Sequence, residues 1–232
     1  MRAVIFANGT FSNPEQSRSA IRPDDFLIAA DGGARHIRSL NLWPSVVIGD
    51  LDSLPDSDRE ALIAHGTQII TYPRDKDQTD LELALNYAVQ LEVDEILLFG
   101  LTGGRLDQTL ANLLLLAREE WETTRLIAID GPDTVYLLRG NQSVSIHGKC
   151  GDIISLVPLS QEVAGVTTRG LRWLLKDATL QFGSTLSLSN ELVEEKTQIQ
   201  ISTGKLLLIH RAHNDPLIGS RFPSLESRSA EE

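Results

Sequence analysis

Apolar residues along the chain fall into two textures that change near residue 135. Before that point, short apolar runs at 3–7, 26–30, 46–48, 68–72, 95–99 and 125–129 alternate with segments whose apolar positions recur at helical spacing. That alternation predicts an α/β N-terminal domain with a mostly parallel sheet, because parallel neighbours need crossovers of helical length. Each run stops at small or acidic residues: Asn8-Gly9, Asp31-Gly32-Gly33, Gly49-Asp50, Pro73 to Asp75, Gly100 to Gly104 and Asp130-Gly131. These stops are carboxyl ends of strands, where open α/β sheets take their ligands.

From residue 135 the runs are shorter, closer and β-prone: 135–138, 143–147, 153–157, 171–175, 179–182, 185–189, 197–201 and 206–210. Separated by Gly and polar residues, they predict an all-β C-terminal domain, a sandwich or a barrel. The expected organisation is an α/β domain at 1–135, a β-sandwich at 136–213, and a polar tail at 214–232 that reads as disordered.

Two helical patterns bear on chemistry. Thr79-Asp80-Leu81-Glu82 has the spacing of a capping box, so Asp80 is expected in a first turn, followed by Leu81, Ala84, Leu85 and Ala88 on one face. The second pattern opens at Asp107 and is apolar nearly all round through Ala117, which implies burial on several sides, in the core or at a subunit interface.

Composition changes the picture mainly by exclusion. A formal charge of -11 disfavours nucleic-acid phosphates and anionic lipid surfaces, so neither nucleic acid nor membrane is an expected partner. No run reaches the roughly 18 apolar residues of a membrane span, and the opening residues lack the features of a signal peptide. Cys150 is the only cysteine, which excludes an internal disulfide and cysteine metal clusters, and a cytoplasmic location is expected. The histidines at 36, 65, 147, 210 and 213 show no metal-ligand spacing.

The acidic stops carry the candidate chemistry. In Gly49-Asp50-Leu51-Asp52-Ser53, two carboxylates one residue apart at a strand end can face one hard cation such as Mg2+; a plain Asp/Ser turn is the alternative. Arg74-Asp75-Lys76-Asp77-Gln78-Thr79-Asp80 adds three aspartates before a helix. Unit charges about 4 Å apart repel by about 4 kcal/mol at an effective dielectric of 20, so converging aspartates need a cation, although Asp77 and Asp80 also suit a helix N-terminus. Gly103, Gly104 and Arg105 lie in a glycine-rich turn that can hold an anion, with Asp107 orienting Arg105, joining the metal shell or capping the helix. Asp31, Gly32 and Gly33 form a similar turn, where glycines would let a nucleotide approach the backbone or simply make an ordinary strand-to-helix turn.

Taken in order, Asp31-Gly32-Gly33-Ala34, Gly49-Asp50-Leu51-Asp52-Ser53, Asp75-Lys76-Asp77-Gln78-Thr79-Asp80 and Gly103-Gly104-Arg105-Leu106-Asp107 resemble the thiamine pyrophosphokinase family. Gly170-Leu171-Arg172-Trp173, Ser187-Leu188-Ser189-Asn190 and Gly204-Lys205-Leu206-Leu207-Leu208 continue the resemblance, leaving out only the tail. Each motif is short, but five or more in order are highly specific.

The resemblance implies a homodimer that converts ATP and thiamine to AMP and thiamine diphosphate, with thiamine bound where two subunits meet. It implies Asp50, Asp52 and Asp80 as Mg2+ ligands with Asp77 and Asp107 nearby, and Lys76, Thr79 and Arg105 on phosphates. Trp173 would be the aromatic contact to thiamine, and Ser187, Ser189 and Asn190 its polar contacts. Many bacterial members place His after the Arg-x-Asp unit, where this chain has Gln108. Two rival readings follow from the residues: another Mg-dependent phosphotransferase or phosphohydrolase, and a non-catalytic nucleotide- or thiamine-binding protein.

Overall fold

A computed structural model describes residues 1–52, 54–213 and 225–227. The chain divides into two compact units, Met1–Gly131 and Pro132–Glu232.

The first unit alternates as its pattern predicts: β1 Arg2–Phe6, α1 Pro14–Ala20, β2 Phe26–Ala30, α2 Gly33–Ser39, β3 Val46–Gly49, α3 Asp56–Ala64, β4 Gln68–Thr71, α4 Asp80–Gln90, β5 Glu95–Phe99, α5 Leu106–Leu115 and β6 Arg125–Asp130. Its strands are all parallel, in the order β6-β5-β1-β2-β3-β4. Every residue of β1 and β3 is buried, whereas β4 at the edge has none buried. Continuous apolar runs suit central strands covered on both faces. The chain builds outward from β1 to β4, then crosses back to place β5 on the other side of β1. The strand order therefore reverses between β1 and β5, and the crevice opened there is where such sheets bind ligands.

Local chemistry fixes the helix starts. The Thr79 hydroxyl caps α4 by accepting from the Glu82 amide at 3.2 Å, which puts Asp80 in the first turn as its sequence predicts. At the start of α2, a Cβ on Gly33 would sit 1.9 Å from the Phe6 carbonyl oxygen, so only glycine lets this helix begin so close to β1. One expectation fails in part. Helix α5 is not buried on several sides: Leu106, Leu110 and Leu114 are 80%, 56% and 46% exposed, and Asn112 is its buried residue. The three leucines recur every fourth position and so share a face that nothing else in this unit covers.

The second unit contains β7 Asp133–Arg139, β8 Gln142–His147, β9 Ile153–Pro158, β10 Glu162–Arg169, β11 Ala178–Gln181, β12 Asn190–Glu191, β13 Lys196–Gln200, β14 Lys205–Arg211 and β15 Leu225–Ser227. They pair antiparallel as β12-β9-β14-β7 and β11-β10-β13-β8-β15. Burial alternates along β9, the signature of a half-buried strand. Behind the end of β14, the buried His210 and Asp152 meet at 2.8 Å, and Asp152 also accepts from the Lys149 and His213 amides.

Two expectations need correction here. Residues 171–175 form no strand: Leu171 makes a single bridge to Leu192 after Gly170, whose φ of 71° turns the chain. Residues 185–189 are turns. The Leu156 amide donates to the Ser187 carbonyl and the Ser187 hydroxyl to the Leu156 carbonyl, which anchors the segment without a ladder. The tail reading falls mostly outside the described residues, but Leu225–Ser227 forms a strand against β8. An outer strand offers unpaired backbone groups that a further segment can satisfy.

Candidate active site

The reversal between β1 and β5 opens into a cavity of about 510 Å³ within the first unit. Its walls are the carboxyl-end loops of three strands and the approach to α4. Asn8 and Gly9 follow β1, Asp31 follows β2, Gly100 to Arg105 follow β5, and Lys76, Thr79 and Asp80 lead into α4.

Asp31, Asp50 and Asp52 bring one carboxylate oxygen each to within 4.8 Å of one another. The cluster depends on unusual backbone at two positions. Asp31 has φ 45°, and Leu51, between the other two, has φ 58°. Asp tolerates this left-handed region, whereas a leucine there is uncommon and is held by its buried side chain. The Asp50 carboxylate also accepts from the Asp52 amide at 3.2 Å, closing the loop on itself.

Asp80, grouped in the sequence reading with Asp50 and Asp52, lies instead against Lys76. Its Oδ1 is 3.0 Å from Nζ, charge-paired without the alignment of a hydrogen bond. Burial pushes the Asp80 carboxyl above the usual carboxylate range; Lys76 opposes this, and the charges of Asp31 and Asp50 add to it. Asp80 thus feels the cluster electrostatically. Asp31, whose turn the sequence offers for nucleotide approach, is the third carboxylate of that group.

On the opposite wall, Gly104 has open space where a Cβ would be, so its backbone faces the cavity without obstruction, while the Gly103 amide donates to the Thr109 hydroxyl at 3.3 Å. Arg105 borders the cavity and bonds Asp107 through Nε at 3.2 Å and Nη2 at 2.5 Å. The guanidinium holds the exposed Asp107 carboxyl below its ordinary value. Asp107 therefore orients Arg105, one of the three roles its position offers; α5 has no side-chain cap. Of the three clustered carboxylates only Asp31 borders the cavity; Asp50, Asp52, Asp77 and Asp107 do not, nor do Gly32 and Gly33. A Cβ on Gly32 would strike the Asn8 side chain at 2.3 Å, so both glycines serve close packing of α2.

Several lining residues escaped the sequence reading. Asn8 and Gly9 were legible only as a strand end. Asn112, an amide in the middle of a largely apolar helix, donates to the Leu101 carbonyl at 2.8 Å and fixes the glycine-rich loop. Thr102 is hydrogen-bonded to Asp130. Gln108 also borders the cavity.

In the second unit, Trp173 is 57% exposed, with the Arg172 guanidinium 5.6 Å from its ring centre. Asn190 pins the tryptophan backbone, accepting from the Trp173 amide at 3.1 Å and donating to its carbonyl at 2.6 Å. The Ser187 hydroxyl is buried and committed to Leu156, while Ser189 is exposed with φ 56°. Of these four residues, Trp173 and Ser189 present surface, and Ser187 and Asn190 use their polar atoms internally.

Comparison with known proteins decides the family. The family model "Thiamin pyrophosphokinase, catalytic domain" matches residues 18–156, and "Thiamin pyrophosphokinase, vitamin B1 binding domain" matches 141–208. The chain belongs to the thiamine pyrophosphokinase family. It is 29% identical over 182 residues to a thiamine pyrophosphokinase of Bacillus subtilis, covering 78% of this chain and 85% of that one. It is 30% identical over 206 residues to thiamine pyrophosphokinase 1 of Arabidopsis thaliana, covering 78% and 76%. The crystal structure of the Bacillus subtilis thiamine pyrophosphokinase superposes with a TM-score of 0.82 at 26% identity, over 92% of this chain and all 100% of that one. That of Geobacillus thermodenitrificans thiamin pyrophosphokinase gives 0.79 at 27%, over 94% and 100%.

Proposed function

We propose that this chain is a thiamine pyrophosphokinase, a diphosphotransferase that moves the pyrophosphoryl group of ATP to the hydroxyl of thiamine, giving thiamine diphosphate and AMP. The observation that carries the reading is the pairing, in one chain, of a thiamin pyrophosphokinase catalytic domain with a vitamin B1 binding domain.

In the reaction, the thiamine hydroxyl oxygen attacks the β-phosphorus of ATP. The bond from that phosphorus to the α–β bridging oxygen breaks, AMP leaves with the electron pair, and the hydroxyl proton passes to a base or to water. Such transfer depends on positioning and on stabilising charge as it moves. Arg105 offers a planar fork to the phosphate oxygens and Gly104 an unobstructed backbone, with Lys76 and Thr79 on the facing wall.

The hard oxygen donors of Asp31, Asp50 and Asp52 fit Mg2+, which prefers such ligands with water and phosphate. When bound, Mg2+ supplies charge neutralisation to the transferring group. Asp80 lies close enough to add its charge, and Lys76 opposes the rise that burial imposes on its carboxyl.

Trp173 is the proposed contact to the cationic, aromatic thiamine, supported by its exposed ring. A homodimer is the proposed assembly, supported by the exposed leucine face of α5. No helix among the described residues is long and apolar enough to cross a membrane. The single, exposed Cys150 favours a reducing cytoplasm.

The test is one assay of ATP, Mg2+ and thiamine with AMP detection, run beside Asp50→Asn. Wild-type protein should release AMP, and the variant should still bind ATP while losing turnover. ADP or free phosphate as product would indicate another phosphotransferase or a hydrolase. Near-normal AMP release by the variant would remove Asp50 from the proposed cation site.

A further inference from the structure

The wall of the cavity formed after β1 is held from two sides. On the β5 side the bonds are all backbone: the Ala7 amide donates to Phe99 at 2.9 Å, Gly9 to Gly100 at 2.9 Å and Thr10 to Thr102 at 2.6 Å. No slack remains in that direction, since a Cβ on Gly9 would sit 2.1 Å from the Thr102 carbonyl oxygen. On the α2 side the loop is held by side chains. Arg35 reaches the Asn8 amide oxygen at 3.4 Å, a long and exposed contact. His36 Nε2 lies 3.0 Å from the Gly9 carbonyl oxygen and is partly buried. A carbonyl only accepts, so Nε2 carries the proton.

The placement of His36 is itself built in. Its ring stacks on Phe11, with centroids 4.9 Å apart and planes at 27°. Phe11 in turn stands edge-on to Phe6 of β1 at 5.6 Å and to Phe99 of β5 at 6.4 Å. An aromatic column rising from the two central strands thus delivers one donor to one carbonyl of the cavity loop. Burial keeps the imidazole below its usual pKa, with the Gly9 bond opposing and the Arg35 charge assisting.

We infer that His36 is a positioning residue for the nucleotide: by holding the Gly9 carbonyl it fixes the Asn8-Gly9 wall against which ATP is bound. The identity of that nucleotide rests on the function proposed above; the loop geometry does not.

Two variants separate the hydrogen bond from the packing. His36→Phe keeps an aromatic ring on Phe11 and removes the donor, whereas His36→Gln keeps a donor and loses the ring. Binding of the magnesium complex of α,β-methylene-ATP, measured by calorimetry, should weaken roughly three- to tenfold in His36→Phe, the scale of one lost hydrogen bond. KM for ATP should rise by a similar factor with KM for thiamine unchanged, and His36→Gln should recover most of the loss. Unaltered nucleotide affinity in His36→Phe overturns the inference. So does equal weakening in both variants with a lowered thermal midpoint, which would assign His36 to packing alone. If wild-type protein binds the analogue but forms no AMP from ATP and thiamine, the functional reading fails while the affinity comparison still decides the role of His36. Wild-type protein that does not bind the analogue overturns both.

Discussion

Arg105 shows how much a single side chain can owe to its neighbour. It is exposed, and Asp107 takes two of its donors, so the fork is already oriented before any phosphate arrives. Lysine keeps the charge and loses the plane. Arg105→Lys should lower kcat/KM for ATP roughly tenfold to a hundredfold, the range of a hydrogen bond to a charged group, measured by AMP release at fixed Mg2+. Unchanged turnover and ATP affinity would reduce Arg105 to a turn residue. Legibility at this scale followed sequence distance. Asp50 and Asp52 are adjacent enough to be read as a pair, and Arg105 with Asp107 likewise. Asp31 joins the acidic cluster only because β2 and β3 end side by side. Nothing in a linear reading carries that convergence, nor the left-handed backbone at Asp31 and Leu51.

Among elements, α5 departs furthest from its expected setting. Its periodicity was plain, yet periodicity cannot say what covers an apolar face. The exposed row of Leu106, Leu110 and Leu114 is larger than a surface helix needs, and a second copy of the chain is the proposed cover. Leu110→Glu would bury an unpaired charge in that contact, which costs several kcal/mol in an apolar setting, but touches little within the chain because Leu110 is 56% exposed. Light scattering should report a shift from dimer to monomer, with far-UV circular dichroism unchanged. A dimer of wild-type strength in this variant would place the interface elsewhere. The β region shows the same limit. Alternating runs such as β9 were readable, while 171–175 and 185–189 have strand-like composition but satisfy their backbone in turns.

At the scale of the whole molecule, resistance to acid depends on groups far apart in sequence. Burial alone would raise the Asp152 carboxyl, but the His213 and Lys149 amides, followed by His210, together hold it below the usual range. A carboxyl depressed in the folded state contributes its full stability above the unfolded value of about 3.9. That contribution is lost as pH falls through the lower folded value. Asp152→Asn should therefore destabilise the protein at neutral pH by roughly 1–3 kcal/mol, the cost of leaving buried donors poorly satisfied. The gap from wild type should narrow at strongly acid pH. Urea midpoints across pH would check this, and a gap constant with pH would show that the charge of Asp152 contributes nothing. No local pattern announces this pair, because Asp152 lies 58 residues from His210. The fold class, by contrast, was written twice over, in run length and in run spacing.

The three carboxylates within 4.8 Å of one another have a consequence beyond catalysis. Folding brings together like charges that the unfolded chain keeps apart, in a protein already carrying a formal charge of -11. Any cation bound there favours the folded form in proportion to the logarithm of its concentration over its dissociation constant. The same ion would then govern two properties at once: how fast the enzyme turns over, and how long each molecule survives before it unfolds and is degraded. With the proposed Mg2+ as that ion, a cell short of magnesium would hold fewer copies of this protein as well as slower ones.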